Sequence, residues 1–165
     1  MKQFLIVGNI NVITYKEVFP YIKTSEIKYR PQCIHKFLNG AAAATWYTTL
    51  IPPYIPPLEL TKSYTPEAYP RYDNYDAIEV SKTINIPMDY DGVMGVPITF
   101  LDKYNPNQFE IIGCLNDYKE CDYANGLLCG ERIEILEGGV KPRLYAGAVI
   151  SKKGLYYRIL IRHRK

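Results

Sequence analysis

Residues 88–113 have the sequence MDYDGVMGVPITFLDKYNPNQFEIIG, and this stretch decides how the middle of the chain folds. The aspartates before Gly92 predict a turn. Pro97 suits the first turn of a helix, which Asn105-Pro106 would end. The apolar face of that helix would contain Ile98, Leu101 and the ring of Tyr104. A strand is predicted over residues 109–115.

Segments near the start of the chain predict half of a strand–loop–helix unit. Residues 3–7 are a continuous apolar run that ends at Gly8, which is typical of a strand buried on both faces in a parallel sheet. Thr14-Tyr15-Lys16-Glu17 matches a capping box. Pro20 removes one hydrogen bond from the helix that would follow, so we expect that helix to be short or kinked. Residues 45–50 are β-branched and aromatic and predict a further strand.

Residues 51–76 are rich in proline and tyrosine, which argues against a regular helix or a central strand. We expect a long ordered loop, and long loops in compact domains are often functional. Asp73 and Asp76 in this segment form either a carboxylate site or charged caps of the loop. The prolines are Pro52, Pro53, Pro56, Pro57, Pro66 and Pro70, and the tyrosines expected to hold the loop are Tyr54, Tyr64, Tyr69 and Tyr72.

The end of the chain predicts an antiparallel β-hairpin over residues 143–162. Residues 143–150 and 155–162 would form its two strands, and Gly154 would take the left-handed position of its turn. Three shorter elements are also predicted: strands at 77–80 and 132–136, and a loop at 116–130.

The net charge of +3 conceals an asymmetry along the chain. Residues 141–165 contain eight basic and no acidic residues, whereas all 17 acidic residues lie before them. A basic terminal segment indicates a polyanionic partner, and the alternative is a solvated hairpin that keeps the protein soluble. The residues predicted to contact DNA phosphates are Lys141, Arg143, Lys152, Lys153, Arg158, Arg162, Arg164 and Lys165.

Three blocks of the chain resemble the C-terminal half of adenine-specific DNA methyltransferases of the EcoRI type. They are the 88–113 stretch, residues 4–20 (FLIVGN through TYKEVFP) and residues 69–78 (YPRYDNYDAI), in the same order as in the family. The resemblance implies a Rossmann-like methyltransferase domain. Its C-terminal half would supply the last sheet strands and the DNA-recognition elements.

The same resemblance indicates which motifs this sequence lacks. Such enzymes carry a cofactor-binding strand–loop–helix and an Asn/Asp-Pro-Pro-Phe/Tyr catalytic motif before these blocks. Ile51-Pro52-Pro53-Tyr54 has the right spacing, but isoleucine has no acceptor for the adenine amine. Gly8-Asn9-Ile10-Asn11 follows a predicted strand but contains one glycine only. No catalytic residue is therefore predicted, and S-adenosylmethionine is expected to serve the complete enzyme rather than to bind this chain alone.

Five residues are predicted to border the pocket for the target base. In open α/β sheets the carboxyl ends of the strands face the ligand, which places Asn9, Asn11 and Thr14 at that edge. Asn9 and Asn11 alternatively satisfy only local backbone groups. Trp46 and Tyr47 are candidates for stacking on a base, and the alternative places Trp46 in the core.

Other chemistries find little support in the sequence. The four cysteines contain no Cys-x-x-Cys pair, so no metal site and no disulfide framework is predicted. No apolar run approaches the length of a membrane span. A cytoplasmic location without membrane contact follows as the default.

These observations predict one α/β domain over residues 1–165, a partial Rossmann-like sheet with a terminal hairpin. The function that they predict is the C-terminal, target-recognising and sheet-completing portion of an adenine-N6 DNA methyltransferase of a restriction–modification system. The alternative is a non-catalytic DNA- or protein-binding module of the same origin. The expected partners are double-stranded DNA and a separate N-terminal methyltransferase half.

The purified 165-residue chain is expected not to methylate DNA, because it lacks both the cofactor loop and an acceptor for the adenine amine. The measurement is transfer of labelled methyl from S-adenosylmethionine to duplex DNA. Stoichiometric, DNA-dependent labelling by the pure chain would contradict this expectation.

Overall fold

A computed structural model describes residues 2–15, 17–30, 44–50, 55–115, 133–135, 143–145 and 147–165. Contacts divide the chain into two compact units, Met1–Ile55 and Pro56–Lys165, and each is described by itself. The prediction of a single domain stays a prediction. The described residues form a mixed α/β structure with several small sheets and few helices, as the sequence predicts.

The first unit is built on a three-stranded antiparallel sheet with the order β1-β3-β2. Its strands are β1 (Leu5–Asn9), β2 (Lys28–Arg30) and β3 (Ala44–Thr48). A 3₁₀ helix (Ile10–Thr14) and the α-helix α1 (Phe19–Lys23) follow β1. Among the residues of this unit that the structure describes, the buried apolar side chains are Ile13, Ile22 and Tyr47.

The environment predicted for β1 is wrong in two respects. The strand pairs antiparallel with β3, from Leu5 opposite Thr48 to Asn9 opposite Ala44. Leu5, Ile6 and Val7 are 54%, 54% and 42% exposed, so neither face of the strand is buried. Among the described strands, β1 has a partner on one side only. An apolar run therefore indicated the strand correctly but not its neighbours.

The helix that the capping pattern at Thr14 predicts begins later in the structure. The Thr14 hydroxyl donates to the carbonyl of Asn11 within the 3₁₀ helix, and α1 begins after Val18 without a side-chain cap. Pro20 lies in the first turn of α1, where its missing N–H costs little. The helix has five residues, so it is short as expected.

The second unit contains a four-stranded sheet with the order β4-β5-β11-β6. Its strands are β4 (Ile78–Glu79), β5 (Met94–Pro97), β6 (Phe109–Leu115) and β11 (Arg158–His163). β4 and β5 are parallel, and β11 pairs antiparallel with both β5 and β6. The predicted strand over residues 109–115 is confirmed, whereas β5 was not predicted.

Short elements accompany this sheet. The strands β7 (Ile133–Ile135) and β8 (Arg143–Tyr145) pair antiparallel, as do β9 (Val149–Ile150) and β10 (Lys153–Gly154). 3₁₀ helices cover Thr83–Asn85 and Ile98–Lys103. Pro97 ends β5 before the second of these helices. Of the predicted apolar face, Leu101 is buried, whereas Ile98 and Tyr104 are half-buried, and Phe100 is buried in addition.

The predicted hairpin over residues 143–162 does not form. β8 pairs with β7, and β11 lies between β5 and β6 at the centre of the sheet. Ile159, Leu160 and Ile161 are each 0% exposed, which explains why such an apolar segment is placed centrally. Only the four-residue pairing of β9 with β10 remains, and its positive-φ residues are Ser151 and Lys152, not Gly154.

Residues 55–76 form an extended loop without helix or strand, as the prolines predict. Its tyrosines hold it to the second unit. Tyr64 packs on Tyr69 and Tyr90, and the Tyr69 hydroxyl donates to the carbonyl of Asn85. Tyr72 is buried in a cluster with Ala77, Leu115, Ala148 and Leu160. Residues 51–54 and 116–132, for which a loop and part of a strand were predicted, lie outside the described residues.

Gly95 is needed where the loop crosses the sheet. It lies opposite Glu79 on β4 and Leu160 on β11, and the Tyr72 hydroxyl occupies the space over its α-carbon. A Cβ atom at this position would collide with that hydroxyl. The glycine thus allows the loop to pack directly on the sheet backbone.

Gly95→Ala is expected to destabilise the second unit by about 1–3 kcal/mol, because Tyr72 is buried and cannot move aside. Gly92→Ala is the matched control, since its Cβ would meet the end of the Tyr90 ring at 2.6 Å, a side chain that is only half-buried. Urea unfolding of both variants measures the difference. Equal stabilities would contradict the packing described here.

Candidate nucleic-acid interface

Three side chains from separate segments form a buried polar cluster in the second unit. The Arg158 guanidinium on β11 donates to the Glu79 carboxylate on β4 at 2.9–3.0 Å, through Nε and Nη2. The Tyr72 hydroxyl from the loop donates to the same carboxylate, at Glu79 Oε2. Glu79 and Arg158 are only 8% and 15% exposed, so this is a buried ion pair. We call these three residues the Tyr–Glu–Arg cluster.

Burial and charge set the ionisation of the cluster. Burial raises the pKa of Tyr72 far above its usual value, and the Glu79 charge raises it further, so Tyr72 remains a neutral donor. Burial lowers the pKa of Arg158, but its hydrogen bonds and charge interaction with Glu79 outweigh burial and leave that pKa raised. The Glu79 carboxylate thus faces one cation and one neutral hydroxyl.

The cluster also fixes the chain that leads into β11. Arg158 Nη1 donates to the carbonyl oxygens of Tyr156 and Tyr157, at 3.1 and 3.3 Å. The rings of these two tyrosines lie 4.7 Å apart at 51°. A side chain that is held by Glu79 therefore holds the backbone of two exposed or half-buried aromatic residues.

The loop fixes the preceding turn in the same way. Asp73 Oδ2 accepts from the amide of Lys152, and the Asn74 carboxamide bonds to the Gly147 carbonyl and the Val149 amide. The backbone N–H of Asp73 donates to the Val149 carbonyl. Ser151 and Lys152, with φ of 50° and 62°, have the positive values of a two-residue type I′ turn. Residues 151–157, which we call the basic–aromatic segment, are thus supported at both ends.

The structure separates the residues predicted to contact DNA. Lys152 and Lys153 are exposed in the basic–aromatic segment, whereas Arg158 is half-buried and bonded to Glu79. At the end of β11, Arg162 pairs with Glu110 at 2.8 Å and Lys165 with Asp91 at 3.6 Å, both on the surface, and Arg164 is exposed. Lys141 and the side chain of Arg143 lie outside the described residues. DNA contact by these residues stays a prediction.

The residues predicted to border the target-base pocket lie in the first unit. Asn9 Oδ1 accepts from the Asn11 amide at 2.8 Å, and the Tyr47 hydroxyl donates to the Asn9 carbonyl at 2.8 Å. Burial raises the pKa of Tyr47 to about 12. Thr14 is buried and Trp46 is half-buried on the opposite face of β3 from Tyr47. The structure supports the local backbone role of Asn9, and the pocket itself stays a prediction.

Two further predictions concern carboxylates and thiols. Asp73 caps the Lys152 amide and Asp76 pairs with Arg71, which supports the charged-cap interpretation of these aspartates. Within the described residues no group of three His, Cys, Asp or Glu side chains could hold a metal ion. Burial raises the pKa of the Cys114 thiol to about 12, so this cysteine is a protonated, unreactive thiol. Cys33, Cys121 and Cys129 lie outside the described residues.

A cleft of about 310 Å³ lies beside the cluster in the second unit. Glu79 contributes to its wall, but its carboxylate is already bonded to Arg158 and Tyr72. The other lining residues are Lys62, Ala68, Tyr69, Ser81 and Asn85.

In the part of the chain that the structure describes, no helix is long and apolar enough to cross a membrane.

Glu79, and the support that it gives to residues 156–157, was not predicted from the sequence. The signal was present, because Glu79 stands between Ile78 and Val80 in an apolar run. A carboxylate in a buried strand requires a cation or several donors. Its partner 79 residues away was not identifiable from the pattern alone.

Comparison with known proteins identifies the class of protein. A type II methyltransferase of Escherichia coli, M.EcoRI, is 44% identical over 141 residues, which cover 67% of this chain and 42% of that protein. M.MgeORF184P of Mycoplasma genitalium is 34% identical over 92% of the chain and 57% of its own length. M.MpnI of Mycoplasma pneumoniae is 30% identical over 99% and 57%. The chain thus spans about half the length of these relatives. No solved structure matches it.

The family described as adenine-specific methyltransferase EcoRI matches residues 31–164. This match covers most of the chain, including every described element of the second unit. The chain belongs to this family of adenine-specific methyltransferases. The resemblance found in the sequence is thereby confirmed.

Arg158→Ala is expected to destabilise the second unit by about 3–5 kcal/mol, because it leaves the Glu79 carboxylate buried without its cation. Arg162→Ala, on the same strand, removes an exposed pair and is expected to cost about 0–1 kcal/mol. Urea unfolding of both variants provides the comparison. Similar losses for the two arginines would contradict a structural role of the Tyr–Glu–Arg cluster.

Proposed function

We propose that this chain is the DNA-facing, sheet-completing portion of an adenine-N6 DNA methyltransferase of a restriction–modification system. The observation that carries the proposal is the family match over residues 31–164. The geometry of the basic–aromatic segment also supports the proposal. Several hydrogen bonds hold this exposed, positively charged turn in one conformation. A preformed surface loses less entropy when it binds a partner.

DNA is the partner favoured by the charge. Residues 141–165 contain eight basic and no acidic residues, and phosphate contacts by lysine and arginine supply most of the affinity for duplex DNA. Arg158 is not among the proposed contacts, because its guanidinium is already bonded to Glu79 and to two backbone carbonyls. The side chains proposed to contact phosphates are Lys152, Lys153, Arg162, Arg164 and Lys165.

Methyl transfer requires a cofactor site, and two features argue against the loop after β1 as that site. Asn9 Oδ1 accepts from the Asn11 amide and the Asn9 carbonyl accepts from Tyr47, so these groups are already bonded within the chain. A ring of Tyr47 also lies within 3.0 Å of the place a Gly8 side chain would take, so backbone there has little room to approach a ligand. We propose that S-adenosylmethionine is held by a portion with the family's cofactor loop, in the same polypeptide or a separate one.

The edge strand β1 is the proposed contact with that cofactor-binding portion. Leu5, Ile6 and Val7 are largely exposed, and β1 pairs only with β3 among the described strands. An exposed apolar edge is a template for pairing with another strand.

The alternative function for the chain is a DNA- or protein-binding module without catalysis, which would bind DNA but never support methylation.

Replacing both Lys152 and Lys153 with Gln is expected to weaken duplex binding about equally for all sequences. The slope of log affinity against log salt is negative, and each lost phosphate contact reduces its magnitude by about 0.9. The double variant should therefore have a slope shallower by up to about 1.8. A salt titration of duplex binding by fluorescence anisotropy measures both slopes.

The matched control replaces Lys82 and Lys103, two exposed lysines of the same unit outside the basic segment, with Gln. It should keep the parental slope. If the two double variants behave alike, the basic–aromatic segment is not the contact. If the parental chain binds no duplex at about 50 mM salt, the DNA-binding proposal is wrong.

A further inference from the structure

Tyr156 is a large aromatic side chain that the fold leaves in solvent. It is 64% exposed, whereas Tyr157 beside it is half-buried. Exposing a tyrosine ring costs hydrophobic burial, which makes an exposed and well-fixed ring informative. The neighbouring lysines of the turn, Lys152 and Lys153, are exposed as well.

Both the backbone and the ring of Tyr156 contact neighbouring residues. Its carbonyl accepts from Arg158 Nη1 at 3.1 Å, and its ring contacts that of Tyr157 at a centroid distance of 4.7 Å. Arg158 is in turn fixed by two oxygens of Glu79. The backbone is therefore fixed by the chain itself, while Tyr156 remains 64% exposed.

We propose that Tyr156 stacks on an unpaired nucleobase of bound DNA, while Lys152 and Lys153 contact the adjacent phosphates. This inference rests on the proposed function and names a contact within it. An aromatic ring beside exposed cations matches the two surfaces of a nucleotide, its π-face and its phosphate. Of the acidic neighbours, Glu79 is offset by its ion pair with Arg158, and Asp73, which keeps its charge while it accepts from the Lys152 amide, is outnumbered by the cations of Lys152 and Lys153.

A protein that methylates adenine must expose the base outside the duplex, which supplies an unpaired base in the complex. Stacking is tolerant of sequence, since every base has a π-face. Tyr156 therefore acts as a positioning residue for an unpaired base and not as a reader of the target sequence.

The test compares Tyr156→Ala and Tyr156→Phe with the parental chain. Two duplexes are used, one fully paired and one with a single unpaired 2-aminopurine, and binding is followed by anisotropy and by 2-aminopurine fluorescence. Tyr156→Ala should bind the unpaired duplex about fivefold or more weakly, with less quenching of 2-aminopurine. Tyr156→Phe keeps the ring and should match the parent. Tyr21→Ala, an exposed tyrosine of the first unit, is the matched control and should also match the parent.

The possible outcomes of this binding test contradict either the stacking contact alone or the proposed function as well. If the parent binds DNA with the expected salt dependence and Tyr156→Ala binds the unpaired duplex equally well, the stacking contact is wrong and the proposed function stands. If Tyr156→Phe loses as much as Tyr156→Ala, the hydroxyl and not the ring makes the contact, which also overturns the proposal. An equal loss on both duplexes rejects the unpaired base as the ligand. If the parent binds neither duplex, both proposals fall.

Discussion

The buried ion pair between Glu79 and Arg158 is the interaction on which the rest of the second unit depends. It joins the short strand β4 to the central strand β11, which are not direct neighbours in the sheet. Its carboxylate receives the Tyr72 hydroxyl, and its guanidinium holds the carbonyls of Tyr156 and Tyr157. One pair thus connects the proline-rich loop, the sheet and the basic–aromatic segment.

Such a pair is a constraint more than a source of stability. Removing two charges from water costs several kcal/mol each, and their attraction offsets that cost only when the remaining hydrogen bonds are made. Here the guanidinium makes bonds to Glu79 and to two carbonyls, so most of its donors are satisfied. The consequence is geometric, because Arg158 cannot serve as a phosphate contact and instead fixes the residues proposed to meet DNA.

The sequence predicted local elements well and long-range pairing poorly. The strand Phe109–Leu115 was identified to the residue, and in the structure its side chains alternate between buried and half-buried. The 143–162 hairpin failed because hydrophobic pattern cannot distinguish an outer strand from a central one, and Ile159, Leu160 and Ile161 placed β11 in the centre. The same ambiguity explains why an apolar β1 was expected to be buried. For the candidate interface, charge located Lys152 and Lys153, but the role of Arg158 depended on Glu79, which no local signal connects to it.

The central claim is that this chain works as one portion of an adenine-N6 DNA methyltransferase. The direct measurement is formation of N6-methyladenine in duplex DNA, by mass spectrometry, when the chain is joined to or mixed with a portion that carries the family's cofactor loop and catalytic motif. Methylation is expected when both portions are present, and none with either alone. Equal methylation by the cofactor-binding portion alone, or none even when the two are covalently joined, would contradict it.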